Sequence, residues 1–120
     1  MNHVFVVSDG TGGTASRALD AALTQFEGTA VKIEIRPRIS TEEQIHQVVH
    51  DASKVKALII HTLVSNDLRR MMLHLGRRHN IETIDLLGPL LDRLSEQLAV
   101  HPAEQPGLFR QLNESYFRRI

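Results

Sequence analysis

Short apolar runs alternate with amphipathic helical stripes along this chain, and that alternation restricts the fold more than any other feature. Residues 4–7 form a continuous apolar run, the pattern of a strand buried on both faces. Gly10, Gly12 and Gly13 then break the chain. Ala15, Ala18, Leu19, Ala22, Leu23 and Phe26 follow at helical spacing, with Gly28 as a stop. A second strand is expected over 30–36, where Val31, Ile33 and Ile35 alternate with Lys32, Glu34 and Arg36 as at a sheet edge; Pro37 ends it. Ser40 and Glu43 have capping-box spacing ahead of a helix carrying Ile45, Val48, Val49 and Ala52. Residues 57–60 predict a third strand. Ser65, Asn66 or Asp67 would cap a third helix with Leu68, Met71, Met72 and Leu75 inward. Residues 81–86 read as a weaker fourth strand. Gly88 and Pro89 open a fourth helix bearing Leu87, Leu90, Leu91, Leu94 and Leu98. Residues 101–107 read as a loop. Over 108–120, Phe109, Leu112, Tyr116 and Ile120 share a helical face that ends without a cap, which predicts a chain that continues.

Strands and helices alternating at this spacing imply a parallel sheet with right-handed crossovers. The predicted class is α/β: a Rossmann-like, three-layer domain with a mainly parallel four-stranded sheet in the order 2-1-3-4 and helices on both faces. The two most apolar strands take its centre. In such a sheet the ligand crevice lies beyond the carboxyl ends of the strands, where the order reverses. Residues 8–14 and 61–65 are delivered there. The length of 120 residues is one domain's worth, and 42% hydrophobic residues suffice for a core. Net charge is zero, which argues against a non-specific nucleic-acid or anionic-membrane partner. The absence of cysteine excludes a thiolate nucleophile and Cys-based metal sites. No apolar run approaches the ~20 residues that span a bilayer, and the N-terminus reads as a strand rather than a signal. A cytoplasmic protein with no nucleic acid and no membrane partner is expected.

Ser8-Asp9-Gly10-Thr11-Gly12-Gly13-Thr14 joins a buried strand to a helix. Glycines there let backbone N–H groups turn toward a ligand, and the helix N-terminus adds about half a positive charge. The hydroxyls of Ser8, Thr11 and Thr14 are further donors to phosphate oxygens. Asp9 could ligate Mg²⁺, accept a substrate proton or cap the turn. A tight strand-to-helix turn without ligand is the competing reading. No Lys follows the last glycine, so the loop is not a Walker A sequence. Gly10, Gly12 and Ala15 match a dinucleotide fingerprint, with Glu34 as its acidic residue, although Arg36 and Arg38 crowd that position. A phosphatase-type loop would need an aspartate where Val7 stands. A β-branched residue at Gly12 is expected to abolish anion binding without unfolding the domain.

Other candidates are weaker. His46 and His50 lie four residues apart, but Gln47 occupies the position of a zinc-protease glutamate, so a solvated face is favoured and no metal site is assigned. His61 ends a buried strand at the switch point beside Thr62 and Ser65; it is either an acid/base group or a hydrogen-bonded strand-end histidine. Arg69, Arg70, Arg77 and Arg78 line the third helix, either as a solvated face or as a docking surface for an acidic partner.

Residues 7–15, Val-Ser-Asp-Gly-Thr-Gly-Gly-Thr-Ala, resemble the opening motif of the pyruvate, phosphate dikinase regulatory proteins and their relatives that regulate phosphoenolpyruvate synthase. His61-Thr62-Leu63-Val64, Asp85-Leu86-Leu87-Gly88-Pro89-Leu90-Leu91, and Pro106-Gly107 with Leu112-Asn113 and 116–120 are similar to later family segments, in the same order. The resemblance implies a bifunctional serine/threonine kinase and phosphorylase. It would use ADP to phosphorylate and inactivate the dikinase on a threonine, and inorganic phosphate to reverse this. ADP, phosphate and Mg are implied as its small molecules, and the dikinase or the synthase as its partner. The family's P-loop kinase domain lies downstream. On this resemblance 1–104 is the N-terminal α/β domain and 105–120 the start of the connection, and the chain alone is expected to be inactive. Gly13 stands where the family commonly has Glu. The alternatives are a free-standing phosphate- or dinucleotide-binding module, or a docking or homodimerisation domain.

Overall fold

A computed structural model describes residues 2–108. The elements run β1 (Asn2–Ser8), α1 (Gly13–Leu23), β2 (Val31–Arg36), α2 (Glu42–Val55), β3 (Leu58–Thr62), α3 (Asn66–Arg78), β4 (Thr83–Asp85) and α4 (Gly88–Leu98). All strand pairings are parallel, and the order is β2-β1-β3-β4, as the sequence predicts. The fold is therefore a three-layer α/β domain. The amphipathic pattern over 108–120 and the connection beginning at 105 fall almost wholly outside the described residues.

Burial explains the order. β1 loses Val4, Phe5, Val6 and Val7 to the interior, so it needs cover on both faces and a strand on each side. One face of the sheet carries most of the core. Phe5, Val7 and Ile59 pack there with Ile45, Val48, Val49 and Ala52 of α2 and Met72 and Leu75 of α3. Apart from Ala52, each of these side chains contributes roughly 1.5–3 kcal/mol on burial. The opposite face is thinner: Val4, Val6 and Ile60 lie beneath Ala15, the one buried residue of α1.

β2 alternates as an edge strand should. Its polar side faces α2, where Arg36 lies over the Phe5 ring at 5.1 Å and donates to Asp51 of α2 at 2.8 Å. On the other side Ile35 remains 47% exposed.

Four expectations need correction. α1 stops at Leu23, where hydrogen bonds tighten to i−3 spacing, so Phe26 is 63% exposed rather than inward. The capping box of α2 is Thr41 with Gln44, because the Gln44 side chain accepts from the Thr41 N–H while Thr41 accepts from the Gln44 N–H. β4 is only three residues long, Ile81 serving the core from the turn before it. α4 buries only Gly88, and Leu90, Leu94 and Leu98 form an exposed stripe instead of an inward face. Ser65 proves to be the cap of α3, accepting from the Leu68 N–H.

α3 approaches β4 closely at Gly76. A Cβ there would lie 2.7 Å from Thr83 Cγ2 and 2.9 Å from the Ile81 carbonyl oxygen. Gly76→Ala should therefore destabilise the domain by about 1–3 kcal/mol, read as a lowered urea midpoint. An unchanged midpoint would contradict this packing.

Candidate functional site: the glycine loop at the β1/β3 switch point

The pairing of Ser8 with Thr62 brings the exits of the two central strands together. Five backbone and side-chain hydrogen bonds then fix the glycine loop. The Ser8 hydroxyl accepts from the Gly10 N–H at 3.0 Å and from the Thr62 hydroxyl at 3.3 Å. The Ser8 and Gly10 carbonyls accept from the Ile39 and Arg38 N–H groups. Asp9 Oδ2 accepts from the Val64 N–H at 2.8 Å, tying the loop to the residues after β3. Gly12 takes φ +89°, a left-handed turn that favours glycine, and directs the chain into α1.

α1 begins with no side-chain cap and no acidic residue in its first turn. The first N–H groups of a helix have no partner within it, so this end presents donors and partial positive charge to whatever lies beyond. Beyond it lies a cavity of about 400 Å³. Residues 8–14 form its polar wall with Thr62 and Arg17, and Val64, Leu87, Leu91, Pro102 and Leu108 form its apolar wall. Residues 102–108 run across it, and the Glu104 carboxylate accepts from the Asn66 N–H.

The structure divides the predicted residues. Ser8, Asp9, Gly10, Thr11, Gly12, Gly13, Thr14 and Thr62 meet at this cavity. Ser8 is an internal anchor more than an exposed donor, since it is 5% exposed. Ser65 is spent on the α3 cap. His61 points to the other face of the sheet, with Ile59 and Val7, and lines a separate small cavity beside Arg69 and Asp85. Burial lowers its pKa below the usual histidine value, the Asp85 charge opposes this and Arg69 adds to it; its Nδ1 has no partner. Arg69 is 13% exposed and holds Asp85 at 2.8 Å and Asp92 at 3.2 Å, so it belongs to an internal ion pair; Arg70, Arg77 and Arg78 stay at the surface. Asp85 also accepts from the Gly88 N–H, and a Cβ on Gly88 would collide with both Asp85 and Arg69.

Glu34 is paired with Arg36 on the α2 side of β2, away from the cavity, so the dinucleotide fingerprint lacks its ribose partner. Gly12 also differs from expectation. A Cβ there would meet Ile35 Cγ2 at 3.0 Å in a strained backbone, so substituting it perturbs folding as well as any ligand. Arg17, Leu87, Leu91 and most of residues 102–108 also line the cavity, though no motif in the sequence marks them as site residues. Arg17 was legible in principle, because it stands one turn after Gly13 on a helix whose N-terminus faces the crevice.

Among the described residues, no group of three His, Cys, Asp or Glu side chains converges as a metal site, and no helix is long and apolar enough to cross a membrane. A phosphate group fits the donor set of the loop and Arg17. Asp9 is the sole carboxylate of the loop, and one of its oxygens is taken by Val64.

The family model described as "Kinase/pyrophosphorylase" matches residues 4–120. The chain belongs to that family. Curated relatives named as pyruvate, phosphate dikinase regulatory proteins are 38% identical in Geotalea daltonii, across 100% of this chain and 45% of the relative, and 38% identical in Shouchella clausii, across 98% and 43%. One from Geobacter metallireducens is 36% identical across 100% and 45%. The chain thus spans less than half the length of these relatives. Three of the segments that resemble the family, 7–15, 61–64 and 85–91, contribute Ser8–Thr14, Thr62, Val64, Leu87 and Leu91 to one cavity.

Burial pushes the Asp9 carboxyl above its ordinary value of 3.8, against the lowering effect of hydrogen bonds from the Val64 N–H and its own N–H. The folded state therefore holds this proton to higher pH than the unfolded state does. Stability from this group falls as pH rises from 3.8 through the folded pKa. Asp9→Asn keeps an oxygen for Val64 and removes the titration. In urea titrations the wild type should lose stability relative to the variant across that window; parallel profiles would contradict the burial of Asp9.

Proposed function

We propose that this chain is the N-terminal portion of a bifunctional enzyme that controls pyruvate, phosphate dikinase by reversible threonine phosphorylation. The kinase direction uses ADP and the phosphorylase direction uses inorganic phosphate, with the P-loop machinery supplied by the part of the relatives that this chain does not span. In this reading the cavity at the β1/β3 switch point binds phosphate or the phosphate end of a nucleotide.

The observation that carries the reading is the uncapped N-terminus of α1, held rigid by the Ser8, Asp9 and Gly10 contacts and opening on a cavity with Arg17 at its edge. Backbone donors fixed before a ligand arrives need no reordering when it binds, which lowers the entropic cost. Gly12, Gly13 and Thr14 would donate to phosphate oxygens, and Arg17 would neutralise charge. Gly13 places no carboxylate next to that site. Asp9 acts as the tether to Val64 and positions the loop; any Mg²⁺ would share that carboxylate. Family membership and the names of the relatives support the kinase and the dikinase target.

Arg17→Ala is the cleaner variant, since Arg17 is exposed and Gly12 is not replaceable without strain. Loss of one charge-assisted contact of ~1.5–3 kcal/mol should weaken phosphate or ADP binding by about tenfold or more in calorimetry, with the melting temperature of the free chain unchanged. Equal affinity in wild type and variant would remove Arg17 from the site. In the full-length protein, failure to transfer phosphate from ADP to dikinase would refute the functional reading.

A further inference from the structure

A second concave surface lies on the other side of the sheet, between α2 and α3. It is an open groove of about 650 Å³ whose rim carries Glu42 of α2 and Asp67, Arg70, Arg77 and Arg78 of α3. Its floor is apolar: Leu75 is buried, Met71 half-buried and Leu73 44% exposed. Its rim is mainly cationic. Arg77 and Arg78 have no carboxylate partner among the described residues, whereas Arg36, Arg69 and Arg93 are each paired with Asp or Glu. The position of Arg77 and Arg78 in the last turn of α3 complements the helix dipole, but leaves both side chains exposed beside Leu73.

We propose that this groove docks an acidic polypeptide segment with an apolar anchor, and that the segment belongs to the protein on which the family acts. The anchor would sit against Leu73 and Met71, and carboxylates would meet Arg77 and Arg78 through the paired donors that suit them. The Arg70–Asp67 pair at 3.3 Å is exposed on both sides and exchanges easily for a carboxylate from outside. Glu42 and Asp67 offset two of the three arginine charges, so the groove lacks the extended positive stripe along which a nucleic-acid backbone runs, and its apolar floor suits a side-chain anchor instead. The groove is separate from the glycine-loop cavity, so docking leaves the phosphate site open. The identity of the target rests on the functional reading above; the chemistry of the groove does not.

The test measures binding of this chain to purified pyruvate, phosphate dikinase, to a short synthetic peptide of glutamates and leucines, and to single-stranded RNA. The wild type and an Arg77→Glu/Arg78→Glu chain are compared, with Arg77→Gln/Arg78→Gln as a milder second variant. Dikinase and peptide should bind the wild type, weaken with salt, and lose about tenfold or more in the double variants, while RNA does not bind. Equal affinity in all three chains overturns the groove. So does a wild type that binds neither the dikinase nor the peptide, or RNA binding tighter than the peptide. Arginine-dependent binding of the peptide without binding of dikinase keeps the groove and refutes the dikinase as target.

Discussion

The parallel pairing of β1 with β3 is the constraint on which the rest depends. These are the two most apolar strands, and neither tolerates an exposed face or edge. Placing them together at the centre sends β2 and β4 to the edges and puts the order reversal between β1 and β3. From that one arrangement comes the juxtaposition of the glycine loop with Thr62 and Val64. The Ser8–Thr62 and Asp9–Val64 hydrogen bonds are its consequence. They turn a flexible glycine-rich segment into a fixed array of donors.

The two sides of the sheet are built differently, and this has functional meaning. The α2/α3 side is a packed apolar core, closed at its edge by Arg36 over Phe5 and at the far end by the Arg69–Asp85 pair. The α1/α4 side buries less, leaves Ile33, Ile35 and Ile84 partly exposed, and shows the Leu90, Leu94 and Leu98 stripe to solvent. The dense side gives rigidity to the loop from beneath. The thin side provides the room in which the cavity forms between α1 and α4.

Much of the architecture was legible because burial on both faces and burial on one face leave different patterns. The run at 4–7 and the alternation at 31–36 distinguish a central strand from an edge strand without any long-range information. The glycine loop was legible for the same local reason: only glycine fits the backbone at Gly12. Where the sequence misled, tertiary packing decided. The leucines of α4 have helical spacing whether or not anything covers them, so periodicity predicted an inward face that the fold does not make. His61 and Thr62 are adjacent, but a strand sends alternate residues to opposite faces. One joins the loop and the other joins Arg69 and Asp85. Residues 102–108 carry no periodic signal at all, and their place over the cavity follows from contacts such as Glu104 with Asn66.

The phosphate site proposed at the N-terminus of α1 involves backbone amides that report individually. In a backbone amide NMR titration of this chain with inorganic phosphate, saturable shifts should be confined to Gly12, Gly13, Thr14 and their neighbours in the loop. Shifts that do not saturate, or that centre on residues away from 8–17, would contradict that site.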